Sequence, residues 1–211
     1  MDLKIEQPKC SVELLEATTI DSLESKDEIS NGVMEHCALE YQEAVRVSFE
    51  KMVFRNVTIS ESSLEQMECT DVVFEKCDFS NVTFSSSFIH RVEFRNCKLI
   101  GTDFSKSRFQ HVRFLTCIAD YSNFRYASFK QASFEDCSFI SADFYTAAFQ
   151  KIAFTRCNLD QAFLNGAKLK GVDLSDCHFD TLSVDAEDLD GCLIASHQAP
   201  VFVGLMGIII Q

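Results

Sequence analysis

Residues 97–117 read CKLIGTDFSKSRFQHVRFLTC. Leu99, Phe104, Phe109 and Phe114 fall five residues apart, and Cys97 and Cys117 bracket four such steps. Carried outward, every fifth residue from Leu39 to Ile194 is apolar: 17 Phe, 8 Leu, 3 Ile, 2 Ala, 1 Val and 1 Cys over 32 positions. With 46% of the chain hydrophobic, chance would give that run on the order of 10⁻¹¹ of the time. The position two residues earlier is small or apolar at 30 of the 32 sites, Gln42 and Glu187 being the exceptions. Neither the helical period nor the strand period accommodates a step of five. A chain that turns a corner every five residues does, and four corners close a square coil of 20 residues.

The cysteines support that count. Cys77, Cys97, Cys117, Cys137, Cys157 and Cys177 are spaced by 20, and Cys37 shares their column. All occupy the small inward position. The spacing predicts an all-β solenoid over 37–194 of about 8 coils, ~38 Å tall at ~4.8 Å per rung. Phe79, Phe104, Phe124 and Phe144 belong to its core, with Cys97, Cys117, Cys137 and Cys157 stacked beside them. Gly101, Gly166, Gly171 and Gly191 share the corner position, where a positive φ is cheap for Gly.

The chain has 211 residues and a net charge of −13. That balance argues against a direct nucleic-acid binder, which needs clustered Lys and Arg. The first residues lack a basic head followed by an apolar run, and no stretch reaches the ~18 apolar residues that cross a bilayer. The expected compartment is the cytosol, where the 10 Cys stay thiols. His36, His90, His111, His178 and His197 are scattered. No HExxH, CxxC or Gly-rich phosphate loop is present. Catalysis, a metal site and a cofactor are not expected. Cys10, outside the repeat, is the candidate reactive thiol.

The ends differ from the coils. Residues 1–36 lack the repeat and are rich in acids, which predicts an N-terminal extension and cap. Residues 195–211 predict a helix capped by Ser196, with Pro200 in its first turn, and then a final aliphatic strand. This segment covers the last coil, and Phe202, Leu205, Met206 and Ile208 are candidate dimer contacts. Charge varies along the chain: residues 91–130 hold eight bases and three acids, whereas 171–211 hold seven acids and no base. Asp136, Arg156 and Asp176 stack in one column as a ladder. Asp173, Asp176, Asp180, Asp185, Glu187, Asp188 and Asp190 are expected to lack such partners and to form a negative belt.

Units such as Cys77-Asp78-Phe79-Ser80-Asn81 resemble the pentapeptide repeat family, which implies a right-handed quadrilateral parallel β-helix. Within that family the chain resembles the quinolone-resistance (Qnr) group. The resemblance rests on its size, the single solenoid, and the tail His197-Gln198-Ala199 followed by Leu205-Met206-Gly207-Ile208-Ile209-Ile210. It implies a cytosolic homodimer joined through the C-terminal segment. It also implies a rod that mimics DNA, binds DNA gyrase and/or topoisomerase IV, and protects them from fluoroquinolones. The group's best-known plasmid-borne members carry two loops that the unbroken register here lacks, as in chromosomal Gram-positive members. The seven C-terminal acids are the candidate topoisomerase-facing residues. The competing reading is a β-helical scaffold for another protein partner.

Overall fold

The computed structural model describes residues 3–10, 15–205 and 208. The chain winds into a parallel β-solenoid of about eight turns, followed by one short helix. One eight-stranded sheet passes through Glu28–Glu35, Ser48–Arg55, Glu68–Glu75, Phe88–Arg95, Arg108–Leu115, Ser128–Glu135 and Ala148–Thr155, with Glu16–Ala17 at its edge. Between the seven rungs partners are offset by one coil, so that Phe94 faces Phe114 and Phe114 faces Phe134. Each eight-residue strand bends at its middle and so supplies two faces of the coil. The third face stacks Ala38–Glu40 on Thr58–Ser60 and continues through Asp78, Lys98 and Ile118. The fourth stacks Glu43–Val45 on Ser63–Glu65 and continues through Thr83, Asp103 and Asn123.

The corners are left-handed. Every fifth residue from Lys26 to Gln161 has a positive φ, and only Gly101 among them is a glycine. Gly101, Gly166, Gly171 and Gly191 do take a positive φ, as expected, but most corners are other residues. An L-residue in this region costs about 1–2 kcal/mol. The register offsets that cost by satisfying each corner N–H on the next rung: Asn56 donates to Glu75 at 2.9 Å and Asn96 to Leu115 at 2.8 Å.

Inside, the large side chains form columns. Ring centroids along Phe54, Phe74, Phe94, Phe114, Phe134 and Phe154 are 5.0, 5.1, 4.8, 5.1 and 4.7 Å apart. Neighbouring columns meet edge to face, as in Phe124–Phe129. Burying one such side chain contributes about 1.5–3 kcal/mol. Tyr is excluded because its hydroxyl would lack a partner there, and all 4 Tyr are exposed. The small inward column carries donors that bridge rungs: Cys97 Sγ reaches the Phe74 carbonyl at 3.4 Å, and Thr102 Oγ1 donates to that of Phe79 at 2.8 Å. Phe79, Phe104, Phe124, Phe144, Cys97, Cys117, Cys137 and Cys157 are all buried. No disulfide forms among the described cysteines. Burial pushes the Cys177 thiol up to about 12 and raises that of Cys69.

The coil register starts earlier than residue 37. Glu28–Glu35 is already a full rung in register with Ser48–Arg55, and Lys26, Asn31 and His36 are left-handed corners. Ile29 and Met34 extend the apolar series, but Asp27 and Gly32 break its inward partner. At Gly32 the reason is steric: a Cβ there would lie 2.0 Å from Thr18 Oγ1, because the preceding segment closes over this end. Residues 3–10 do not belong to a coil. They run across the rungs as an extended strap, with Lys4 bonded to Gln131 and Lys9 to Asp71.

At the other end the left-handed corner lapses beyond Gly171 and returns only at Gly191. A 3-10 turn over Ser196–Gln198 leads into the helix Ala199–Leu205. Ala195, not Ser196, is the N-cap residue of that turn, and no side chain caps it in the usual way. Gln198 closes the end instead. Its Nε2 donates to the carbonyls of Leu174 at 2.9 Å and Cys177 at 2.7 Å, which have no further rung to receive. Ile208 is in no strand, and Ile209 and Ile210 lie outside the described residues.

Candidate functional site

Because the register is fixed, a residue's place in its coil decides the face on which it stands. The third face and its corner toward the fourth carry Glu40, Glu61, Asp78, Asp120, Asp160 and Asp180 against one base, Lys98, while Lys76 and Arg156 stand at the other corner. Lys98 reaches Asp78 at 3.5 Å. Three of these acids also stitch the coils together or end a turn. Asp120 Oδ1 accepts the Ile140 N–H at 3.0 Å, Asp160 Oδ1 accepts that of Thr181 at 2.9 Å, and Asp78 Oδ1 accepts that of Ser80 at 3.1 Å. Burial works against the Asp160 carboxylate, but the N–H groups of Thr181 and Asp180 outweigh it and hold the carboxyl below its ordinary range. Three of the six carboxylates are thus held in place by main-chain N–H groups.

The opposite face, the first half of the long strands, has the reverse sign over its later rungs, whereas its earlier rungs carry Glu28, Glu50 and Glu68. From Phe88 to Lys170 its outward residues include Arg91, Arg108, Lys130, Lys151, Lys168 and Lys170 and no acid. Arg91 is tied to the buried Asp71 at 2.6 Å. Arg108, Lys130 and Lys151 are in no ion pair among the described residues. The two remaining faces are compensated: Arg55 joins Glu35 and Glu75, Arg156 joins Asp136 and Glu135, and Arg125 joins Asp143.

The seven C-terminal acids do not form the unpartnered group expected of them. Lys168 binds Asp188 at 2.7 Å and Glu187 at 3.6 Å, and Lys170 binds Asp190 at 3.4 Å. These lysines stand one coil earlier, just before the acid-only stretch begins. The Asp188 side chain is buried and also accepts the Gly166 N–H at 2.6 Å, so it serves the fold. Asp185 accepts a hydrogen bond from Asn165 Nδ2, and the Ser175 side chain and N–H, within its own turn, hold the Asp173 carboxyl below its ordinary range. Asp176 and Asp180 are exposed; the expected ladder stops at Arg156, which turns to Asp136 and Glu135 and not to Asp176, and only Asp180 joins the long acidic face.

Among the candidate dimer residues, Phe202 packs inward on Phe179, with ring centroids 5.8 Å apart. It is a cap contact, because the last coil offers it an open Phe edge. Ile208 is 55% exposed, and Leu193 and Ile194 are exposed as well. The Leu205 side chain and Met206 lie outside the described residues. Cys10 is half-buried, and burial raises its thiol, so it is not activated. His90 and His111 stand 5.9 Å apart, yet the described residues contain no metal-holding group. No described helix is long and apolar enough to cross a membrane.

Two features escape the sequence pattern. One is the strap. The other is an aromatic cluster on the fourth face, where Arg125 lies 4.6 Å over the Tyr145 ring beside Tyr126. The signal for the second was present in the composition, since Tyr avoids the Phe columns.

Two family models match the repeat: "Pentapeptide repeat region" over residues 86–164 and "Pentapeptide repeats (8 copies)" over 149–181. An uncharacterized Bacillus subtilis protein, YisX, is 45% identical over 208 residues, covering 99% of this chain and 98% of that one. The chain belongs to the pentapeptide repeat family. The cyanobacterial pentapeptide repeat protein HetL from Nostoc, described as involved in heterocyst differentiation regulation, has a similar fold. Its TM-score is 0.54 at 13% identity, covering 82% of this chain and 91% of HetL. A trypsin-treated form of QnrB1, a plasmid-mediated fluoroquinolone resistance protein, aligns with a TM-score of 0.49 at 18% identity. That alignment covers 85% of this chain and 100% of QnrB1's.

Proposed function

We propose that this pentapeptide repeat protein binds DNA gyrase and/or topoisomerase IV through its acidic face, in the place of DNA, and protects the enzyme from fluoroquinolones. The observation that carries this reading is the row of Glu40, Glu61, Asp78, Asp120, Asp160 and Asp180 along the third face and its corner. These carboxylates span about seven rungs, roughly 34 Å at ~4.8 Å each. A duplex presents one phosphate per ~3.4 Å of axis on each strand, so a line of fixed negative charge of this length suits a basic DNA-accepting groove. The Qnr-like tail supports the reading, since Gln198 of His197-Gln198-Ala199 locks the end of the solenoid.

The rod works as a homodimer joined through its C-terminal segment, where Leu205, Met206 and Ile208 follow the cap residue Phe202. Protection needs no catalysis: binding alone competes with DNA or destabilises the drug-trapped complex. The test is gyrase supercoiling in the presence of ciprofloxacin over a titration of this protein. Rescue of supercoiling, with capture of gyrase by the immobilised chain, supports the reading. No rescue at any concentration and no capture overturn it. The aromatic cluster of Tyr126, Arg125 and Tyr145 favours a second reading, a scaffold for another protein. Tyr and Arg dominate interface hot spots, and here both tyrosines are exposed with Arg125 half-buried beside them.

A further inference from the structure

The long sheet carries three charged or titratable side chains that a solvated outer surface does not need to bury. Asp71 and Glu93 are 4% exposed and His111 is 7% exposed at the side chain. Val53 and Val73 also point outward, and both are buried. The strap of residues 3–10 covers all five, running along the bend of the sheet from the rung of Gln131 down to that of Asp71.

The strap is held by its main chain. Gln131 Nε2 donates to the Lys4 carbonyl at 2.7 Å, and Arg113 donates to the Ile5 carbonyl at 3.4 Å. The Glu6 N–H donates to His111 Nδ1 at 3.2 Å, and the Lys9 N–H donates to Asp71 Oδ1 at 2.9 Å. One side chain takes part, the Glu6 carboxylate 3.8 Å from His111 Nε2. A groove that reads carbonyls and N–H groups is indifferent to most of the sequence laid in it, as in other sites that bind extended chains. The fit is also incomplete. A cavity of about 210 Å³ remains where Pro8 and Cys10 face Val53, Val73, Glu93 and Arg95. It takes a larger side chain than the ring of Pro8. Five polar contacts, three of them long, must hold eight residues that pair with no strand, so the strap lies at the readily opened end of the molecule's stability range.

From these observations we propose that the bend of the long sheet is a binding groove for an extended polypeptide segment of a partner protein. The segment's main chain is read by Gln131, Arg113, His111 and Asp71, its bulky amphipathic side chain fills the cavity, and the chain's own N-terminal strap closes the groove in cis. The partner enters when the strap lifts.

The probe is a fluorescein-labelled peptide of residues 3–9, titrated by anisotropy into the full chain and into the double variant Glu6→Pro/Lys9→Pro. Those substitutions delete the two strap N–H donors and leave the groove intact. The double variant should bind the peptide at least ten-fold more tightly than the parent chain. Adding His111→Ala and Gln131→Ala should return binding to the parent level, and a peptide with Pro8→Tyr should bind more tightly than the strap sequence. Equal affinity for parent and double variant, with circular dichroism and melting unchanged, overturns the proposal. Should the double variant fail to fold, hydrogen exchange on the parent chain decides. Excess peptide should speed exchange at the Glu6 and Lys9 amides but not at Phe109, and unchanged protection there overturns the proposal equally.

Discussion

The acidic and basic faces of this rod share one backbone register and one core, yet they meet their charges differently. The acidic face holds six carboxylates with one lysine, and three of the six accept main-chain N–H groups of their own or the next coil. The basic face anchors Arg91 on Asp71, and Lys168 and Lys170 on acids one coil later. It leaves Arg108, Lys130 and Lys151 without an ion pair among the described residues. Charge is therefore sorted across the rod. A tally along the chain averages four faces and reports a basic middle and an acidic end. The net −13 describes neither face. A partner that meets the rungs from Phe88 to Lys170 on one side meets bases, and on the opposite side mostly acids.

The largest change comes from breaking the frame both faces share. Phe124→Ala removes a ring stacked between Phe104 and Phe144. It should cost about 3–5 kcal/mol, read from urea denaturation. A loss under about 1 kcal/mol would mean that the columns do not carry the stability assigned to them.

A smaller loss should follow Arg91→Ala, which strands Asp71. Breaking a buried pair costs about 3–5 kcal/mol, and partial exposure of Arg91 reduces that to about 2–3. Asp71 also sets a pH dependence. Burial pushes its carboxyl up, but the Arg91 guanidinium and the Lys9 N–H outweigh burial and hold it below the ordinary value. A depressed folded value stabilises the native state above about pH 4. That contribution is lost as pH falls through the folded value. Denaturation midpoints measured from pH 6 downward should fall more steeply in the parent chain than in Asp71→Asn. Parallel curves would remove Asp71 from the account.

The smallest effects belong to the unpaired bases. Arg108→Ala, Lys130→Ala and Lys151→Ala should each stay within about 0.5 kcal/mol of the parent stability. A larger change at any of them would place that residue in the fold rather than on a free surface.

The five-residue step alone revealed the solenoid from Leu39 onward, the Phe columns and the buried cysteine column, because one repeated inward geometry imposes one repeated residue choice. The first coil was hidden: Gly32 must yield to Thr18, and Asp27 breaks the inward column. The C-terminal acids misled because their lysines stand 20 residues earlier, on the neighbouring rung and not in the neighbouring sequence. Gln198 leaves no pattern at all. Its role exists only because the carbonyls of Leu174 and Cys177 face an end with no further coil. The strap was illegible for a similar reason, since its partners lie 62 to 127 residues away and contact mainly its backbone.

The most direct test of the DNA-replacing face compares two triple variants in the same gyrase supercoiling assay with ciprofloxacin. Glu40→Lys/Glu61→Lys/Asp180→Lys changes exposed acids, and Arg108→Glu/Lys130→Glu/Lys151→Glu changes exposed bases. The acidic-face variant should need at least ten-fold more protein to rescue supercoiling, while the basic-face variant should match the parent chain. Equal rescue by the acidic-face variant and the parent would contradict the account.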